Sequence, residues 1–282
     1  MLTINTNLSA MIINDNLKAA TLALNTSMER MTTGLRINSA ADDAAGLAVA
    51  TKMVTQLSSF DVASSNVQIG SNVLGVFEDT YELINGHLSR IRNLTEQAAN
   101  GTYATSSKEA IVAEIDSRVA EINRLAKSTE FNGIKLLDGS STEMNIQVGI
   151  GSTENDYIKI DSSVFGLQAA LAHNIIGANW AEGSAGQYAV DNASNVLGDL
   201  DTAIKGITSR ITSVGAFANR LDSAGELLEV LNTNMTSSLS TVRDADISTE
   251  SSNYIRAQIL QQASASLLTT ANQQPSIVLN LI

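Results

Sequence analysis

The chain has 282 residues and a formal net charge of −12, which argues against binding to nucleic acid or to an anionic membrane surface, because both require clustered Lys and Arg. It contains no cysteine, which excludes disulfides and thiolate metal sites, and only 4% aromatic residues, which predicts a core of aliphatic side chains and methionine. No run of about 18 apolar residues occurs, so no membrane-spanning segment is expected.

The first periodic segment lies near the N-terminus and predicts one face of a helix. Its apolar residues recur at alternating spacings of three and four: Ile13, Leu17, Ala20, Leu24, Met28, Met31 and Leu35. Gly34 is expected to end or bend this helix. A second helix is expected to begin near Asp42 and Asp43, whose carboxylates suit a helix N-terminus.

The middle of the chain predicts two further helices and then a small β region. The second helix has an apolar face at Val67, Gly70, Leu74, Phe77, Tyr81, Ile84, Leu88 and Ile91. Ser106 and Glu109 have the spacing of a capping box and predict the start of a third helix. Residues 131–165 are short β-branched runs divided by Asn-Gly and Asp-Gly, as in hairpins. Residues 166–192 show no firm period and predict an irregular surface tip.

Helical periodicity returns after residue 192 and continues to the C-terminus. The alternation of three and four is unbroken from Leu197 to Leu228, which is typical of a coiled coil. The predicted fold is therefore mainly α, with long antiparallel coiled-coil helices forming a rod. A small β-hairpin region is placed at about residues 131–165, and both termini are expected to be helical and paired.

Both ends of the chain, residues 8–37 and 254–282, are apolar and nearly free of charge. Since most soluble domains leave their termini to fray in water, we expect these ends to pack against each other and against neighbouring copies. The residues predicted to form this terminal packing interface are Ile13, Leu17, Leu24, Met28, Met31, Ile255, Ile259, Leu260, Leu267, Leu268, Ile277, Val278, Leu279 and Leu281.

No arrangement of residues suggests catalysis. His87 and His173 are the only histidines and do not have the spacing of metal ligands. Acidic pairs such as Asp42 and Asp43 are better explained as helix caps than as general acids. We therefore expect no enzyme activity, no catalytic or metal site and no cofactor.

Several long motifs resemble those of bacterial flagellins. They are INTN at 4–7, MTTGLRINSAADDAAGLAVAT at 31–51, SRIRNLTEQAANGT at 89–102, AEIDSRVAEINRLAKSTEFNGIKLLDG at 113–139, IQVG at 146–149 and the stretch from 243 to 282. The resemblance covers about residues 3–160 and 197–282. It implies a structural subunit that self-assembles head-to-tail into the flagellar filament used for swimming. It also implies type III export, a secreted, extracellular location, and a minimal flagellin with little outer variable domain.

The resemblance also implies a division into domains. Residues 1–42 and 238–282 would form a discontinuous inner terminal coiled-coil domain. Residues 43–165 and 193–237 would form an outer helical core with the small β region. Residues 166–192 would form a short surface-exposed tip in place of the variable domains.

Two groups of residues match family motifs that carry contacts. Arg90, Arg92, Leu94, Gln97 and Glu114 stand where flagellins contact Toll-like receptor 5, and the same residues are also explained by axial contacts between subunits on a solvated helix face. Gly34, Arg36, Asn38, Asp42 and Asp43 lie in the motif that joins the inner and outer domains. They predict a helix break and polar contacts between subunits, with helix capping alone as the alternative.

The partners implied by the family are further copies of the chain, the hook-associated junction and cap proteins, an export chaperone at the C-terminal region, and Toll-like receptor 5. No nucleic acid or membrane partner is expected. Two other functions remain open at this point. One is a flagellin-like protein of the hook–filament junction, and the other is a non-flagellar coiled-coil adaptor that binds another protein through its apolar ends.

Overall fold

The computed structural model describes residues 6–141, 143–165, 167 and 185–279, with side chains up to residue 273. Most of these residues are helical, as the sequence predicts. The helices are α1 (Leu8–Thr33), α2 (Ala44–Ala99), α3 (Thr105–Ser128), α4 (Ala185–Asp191), α5 (Ala193–Arg243) and α6 (Ile247–Leu279). The strands are β1 (Glu130–Phe131), β2 (Ile134–Lys135), β3 (Met144–Gln147) and β4 (Tyr157–Ile160), with a 3₁₀ turn at Glu154–Asp156. The mainly α fold with two small antiparallel hairpins is confirmed.

The chain divides into two compact units. The terminal unit consists of residues 1–57 and 233–282, and the central unit consists of residues 58–232. The boundary falls within α2 and within α5. The division into functional domains at residues 42 and 238 stays a prediction, because it concerns positions in a filament.

In the terminal unit, α1 and α6 pack against each other in antiparallel directions. Three hydrogen bonds join the two helices. Asn7 donates to the carbonyl oxygen of Ala271, Gln261 to the hydroxyl of Thr21, and Arg30 to the carboxylate of Glu250. The predicted pairing of the helical termini is therefore confirmed. In α1 the face turned to α6 carries Ile13, Leu17, Ala20, Leu24, Ser27 and Met31, all buried or half-buried.

Only some of the predicted packing residues lie in the contact between α1 and α6, and for the others packing against neighbouring copies stays a prediction. Met28 is 46% exposed, and Ser27 occupies the buried position in its place. On α6 the buried positions are Glu250, Ala257, Ser264 and Ala271, with Leu268 half-buried between them. Small side chains at the contact let two helices approach closely, so the larger apolar residues lie on the outer surface. Those exposed residues are Ile255, Ile259, Leu260 and Leu267.

The central unit has an aliphatic core built on the predicted face of α2. Every residue of that face from Val67 to Ile91 is buried, and Phe77, Tyr81, Ile84, Leu88 and Ile91 are completely so. The buried positions of α3 and α5 recur at helical spacing in the same way. The ring of Phe77 meets that of Phe165 edge to face, with centroids 5.0 Å apart. Periodicity alone therefore located this core.

The start of α3 differs from the predicted capping box. The helix begins at Thr105 with Ala104 as its N-cap, and no side chain makes the capping hydrogen bond. The start of α2 agrees with the prediction, because the carboxylate of Asp43 accepts a hydrogen bond from the backbone N–H of Gly46.

The hairpins lie where the sequence places them. Strands β1 and β2 are joined by Asn132 and Gly133, both in the left-handed region with φ of 50° and 79°, as Asn-Gly turns require. Strands β3 and β4 pair antiparallel with Ile146 opposite Ile158. A Cβ added at Gly70 of α2 would lie 2.5 Å from Cδ1 of Ile146, so the glycine lets the side chain of Ile146 pack directly against the backbone of α2.

The predicted irregular tip is helical in part. Residues 185–191 form α4, whose buried Ala185 and Ala189 pack close to α3. A Cβ at Gly186 would lie 2.2 Å from the carbonyl oxygen of Val112, so small residues permit this contact, which periodicity could not reveal in so short a segment. Residue 166 and residues 168–184 of the predicted tip lie outside the described residues. Within the described ranges, no helix has the length and hydropathy needed to cross a membrane.

Candidate functional site

The first predicted group surrounds the turn that follows α1. Gly34 ends the helix with φ of 72° and donates from its N–H to the carbonyl oxygen of Arg30. Arg36 donates from its backbone N–H to the carbonyl oxygen of Arg243, and from its guanidinium to that of Val242 at 2.6 Å. These bonds satisfy carbonyl groups at the C-terminus of α5 that lack helical partners. The turn thus ties the end of α1 to the end of α5.

The rest of this group caps the chain entering α2. The carboxylate of Asp42 accepts hydrogen bonds from the N–H groups of Asn38 and Ser39 and from the Ser39 hydroxyl. These bonds lower the pKa of Asp42, with the bonds from Ser39 contributing most. The observed contacts of Gly34, Arg36, Asn38, Asp42 and Asp43 are therefore all made within one chain. A role for them between subunits stays a prediction.

The second predicted group centres on Glu114. Its two carboxylate oxygens accept hydrogen bonds from Arg90, at 2.9 Å from Nε and 3.2 Å from Nη2. Arg118, one turn later on α3, donates two further bonds to Oε1. The bonds from Arg90, followed by those from Arg118, hold the pKa of Glu114 below its ordinary value. The side chains of Arg90 and Glu114 are 47% and 34% exposed, so this pair is accessible to solvent and to a partner.

The other members of the second group are divided between surface and interior. Arg92 pairs with Asp201 at 2.6 Å and with Glu96 at 3.3 Å, and Gln97 donates to the hydroxyl of Tyr103. Leu94 is only 2% exposed. Its prediction as a receptor contact is therefore wrong for this structure, because the side chain extends the buried face of α2 beyond Ile91.

A third surface, formed by the terminal helices, was only partly predicted. On α1 the large apolar residues Leu8, Met11, Ile12 and Leu22 are exposed and recur at helical spacing on a face other than the one packed on α6. The outward residues of α6 add Ile255, Ile259, Leu260 and Leu267. The exposed apolar residues of α1 have a helical spacing of their own, and this spacing is the sequence signal that could have revealed the surface. The side chains of Ile277, Val278 and Leu279, and all of Leu281, lie outside the described residues.

The described residues contain no group of three or more His, Cys, Asp or Glu that could hold a metal ion. The Nδ1 atom of His87 lies 3.4 Å from Nη1 of Arg118.

Comparison with known proteins finds relatives that cover nearly the whole chain. Residues 4–142 match the family described as the bacterial flagellin N-terminal helical region, and residues 197–282 match its C-terminal helical region. A flagellin of Xenorhabdus nematophila is 37% identical, with 99% of this chain and 98% of the relative covered. A flagellin of Halalkalibacterium halodurans is 34% identical over 96% of this chain and its own full length, and flagellin FlaB2 of Treponema pallidum is 33% identical over 99% of both.

Solved structures share the fold at lower identity. A flagellar hook-associated protein from Vibrio parahaemolyticus, described as putative, superimposes with a TM-score of 0.54 at 15% identity, covering 72% of this chain and all of its own. FlgL of Bacillus cereus has a TM-score of 0.52 at 20% identity, covering 67% of this chain and 99% of its own. At such identities these likenesses concern the fold alone.

Proposed function

The chain belongs to the bacterial flagellin family and is a structural subunit of the flagellar filament, not an enzyme; we propose that it polymerises through the outward apolar faces of α1 and α6. The observation that carries this proposal is the exposure of large apolar side chains on both terminal helices. Leu8 and Leu22 of α1 are each 67% exposed, and Ile259 of α6 is 60% exposed.

Contiguous apolar surface of this kind is costly in water and marks an interface. The face of α1 that packs on α6 is a different one, so pairing within the chain does not cover it. A neighbouring copy offers the same surfaces. A contact that joins copies head-to-tail and does not close on itself grows a filament.

Assembly also offers a way to stabilise the terminal unit. Ordering a backbone costs about 1–2 kcal/mol per residue. The fully buried positions of the α1–α6 contact are mostly Ala and Ser, which bury little apolar area, and its larger side chains are only half-buried. We infer that the two terminal helices are largely disordered in the free monomer and fold as copies join. Such coupling would delay polymerisation until after export.

The same family membership supports a set of further assignments. We assign residues 1–42 and 238–282 to the inner domain of the filament, and 43–165 with 193–237 to its outer core. The chain is exported to an extracellular location. It contacts hook-associated junction and cap proteins in the flagellum, and an export chaperone binds its C-terminal region.

Recognition of the free monomer by Toll-like receptor 5 is a second candidate function, and the exposed Arg90–Glu114 pair favours it. The guanidinium is held in place by two hydrogen bonds to one carboxylate, so a partner meets a preorganised polar surface. Arg92 and Gln97 belong to the same segment of α2. Leu94 is left out of this surface because it is buried.

The test of the filament assignment is electron microscopy of purified chain after heat dissociation and slow reassembly with filament seeds. Long tubes are expected. As a control, the seeds should extend under the same conditions when their own subunits are added. If they do and the purified chain still forms only short oligomers, polymerisation is contradicted, and the junction protein or a closed coiled-coil adaptor is favoured.

A further inference from the structure

A groove of about 790 Å³ runs along the paired helices α1 and α6 of the terminal unit. Over most of its length the walls are apolar, with Ala19 and Ala23 from α1 and Leu260, Ala263 and Leu267 from α6. The alanines leave the groove wide, and Leu260 and Leu267 are more than half exposed. The groove thus has room for large side chains of another helix.

One end of the groove is positively charged. It holds two arginines, Arg30 and Arg256, and a single carboxylate, that of Glu250. Glu250 is already paired with Nη1 of Arg30 at 3.2 Å. Nε of Arg30 is buried without a hydrogen-bond partner, and no described carboxylate lies within ion-pair distance of Arg256. An occupant that presents a carboxylate beside apolar side chains would match both parts of the groove.

We propose that this groove receives the outer face of α1 from a second copy of the chain, with Asp15 of that copy paired to Arg256. Asp15 lies on the same helical face as the exposed Leu8, Met11 and Ile12. It forms no ion pair with any described residue. One face of α1 therefore carries large apolar residues followed by a carboxylate, in the order that the groove requires.

Other parts of the terminal helices fit less well. The only acidic residue of α6 is Glu250, which Arg30 already engages, so the outer face of α6 has no carboxylate to offer. Glu29 of α1 has only one large exposed apolar residue before it on its face, Leu22, and Asn25 and Thr26 lie between them. This contact rests on the proposed polymerisation and adds to it one specific pair of opposite charges. Two copies otherwise repel each other, because each has a net charge of −12.

The absence of native cysteine allows a direct test by cross-linking. Asp15→Cys combined with Arg256→Cys is assembled into filaments and oxidised. A ladder of covalent multimers is expected in filaments and none in monomer. A disulfide within one chain is excluded, because the Arg30–Glu250 and Thr21–Gln261 contacts place Arg256 about ten residues along α1 from Asp15, or about 15 Å. The matched control is Asn14→Cys with Arg256→Cys, which should give no ladder because Asn14 is exposed but points about 100° away from Asp15 around the helix.

Charge exchange gives a second readout. Arg256→Glu alone and Asp15→Lys alone should each raise the critical concentration for filament growth at least about tenfold, because each places like charges together. Their combination should return it to within about threefold of wild type. Asp15→Lys combined with Lys18→Glu has the same net charge as that double variant and should not be rescued.

The outcomes separate the two proposals. If wild-type chain forms filaments but the cysteine pair gives no ladder and the exchanged charges give no rescue, the groove contact is overturned and polymerisation stands. If wild-type chain forms no filaments with competent seeds, polymerisation itself is overturned, and the groove contact with it.

Discussion

The guanidinium of Arg36 donates a hydrogen bond of 2.6 Å to the carbonyl oxygen of Val242, one residue before the end of α5. Arg36→Ala leaves that carbonyl without its partner, and we expect a loss of about 1 kcal/mol in the stability of the terminal unit. The measurement is the dissociation temperature of filaments, which should fall. Arg220→Ala, which removes an exposed arginine of α5 resting on Phe217, is the control and should leave that temperature nearly unchanged.

Gly70 and Gly75 lie in the same helix but have opposite surroundings. A Cβ at Gly70 would meet Ile146 at 2.5 Å and Leu221 at 3.2 Å, whereas one at Gly75 would meet nothing within 4 Å. We expect Gly70→Ala to destabilise the central unit by about 1–3 kcal/mol. Gly75→Ala should stabilise it by about 0.5–1 kcal/mol through helix propensity.

Urea unfolding of the two variants, followed by circular dichroism, measures both effects. Each midpoint is compared with that of wild type at the same protein concentration. Equal shifts of the same sign for Gly70→Ala and Gly75→Ala would contradict the packing of the β3–β4 hairpin on α2.

The sequence predicted the parts of this fold that depend on a single unambiguous period. The face of α2 is one such part, because the stripe from Val67 to Ile91 keeps the three-four spacing without a break and all of it is buried. The turn at Gly34 was equally readable, since glycine accepts φ of 72° without strain.

The sequence did not show which of two helical faces of α6 packs against α1. In α6 the spacing of Ile255, Ile259 and Leu260 is as helical as that of Ala257, Ser264 and Ala271, and hydrophobicity favours the first set. The structure buries the second set, because small residues bring the helices together. Leu94 shows a related error, since a motif match fixes position in the chain but not the direction of the side chain.

The Arg90–Glu114 pair makes stability depend on pH in acid. Because the pKa of Glu114 is lowered in the folded chain, the pair stabilises the fold above the ordinary value of 4.5. That stabilisation is lost as the pH falls from 4.5 through the folded pKa. Glu114→Gln should therefore unfold more readily than wild type at neutral pH, with the difference shrinking below pH 4.5.

Thermal unfolding at low salt over this pH range is the measurement, because salt screens an exposed pair. Glu109→Gln is the matched control, since Glu109 lies on the same helix and forms no ion pair with any described residue. A gap between Glu114→Gln and wild type that stayed constant down to pH 3 would contradict the assignment of the stabilisation to this carboxylate.

Limited trypsin digestion tests whether the terminal helices are disordered before assembly. In the monomer, cleavage should come first after Lys18, Arg30 and Arg256. Sites within the central unit, such as Arg118 and Lys205, should resist because their backbone is held in packed helices. In filaments the terminal sites should become protected as well. Equal resistance of terminal and central sites in the monomer would contradict folding coupled to assembly.

Recognition by Toll-like receptor 5 can be tested at the exposed arginines of α2. Arg90→Ala removes one side of the preorganised pair, and we expect monomer-stimulated reporter signalling to fall about tenfold or more, as for a polar contact at an interface. Arg124→Ala is the matched control, because Arg124 forms a similar exposed pair with Glu121 on α3. Leu94→Ala is uninformative about direct contact, since loss of a buried leucine acts through packing. If Arg90→Ala signals as wild type does while its circular dichroism is unchanged, the pair is not a receptor contact, and the remaining explanation for its exposure is contact between subunits.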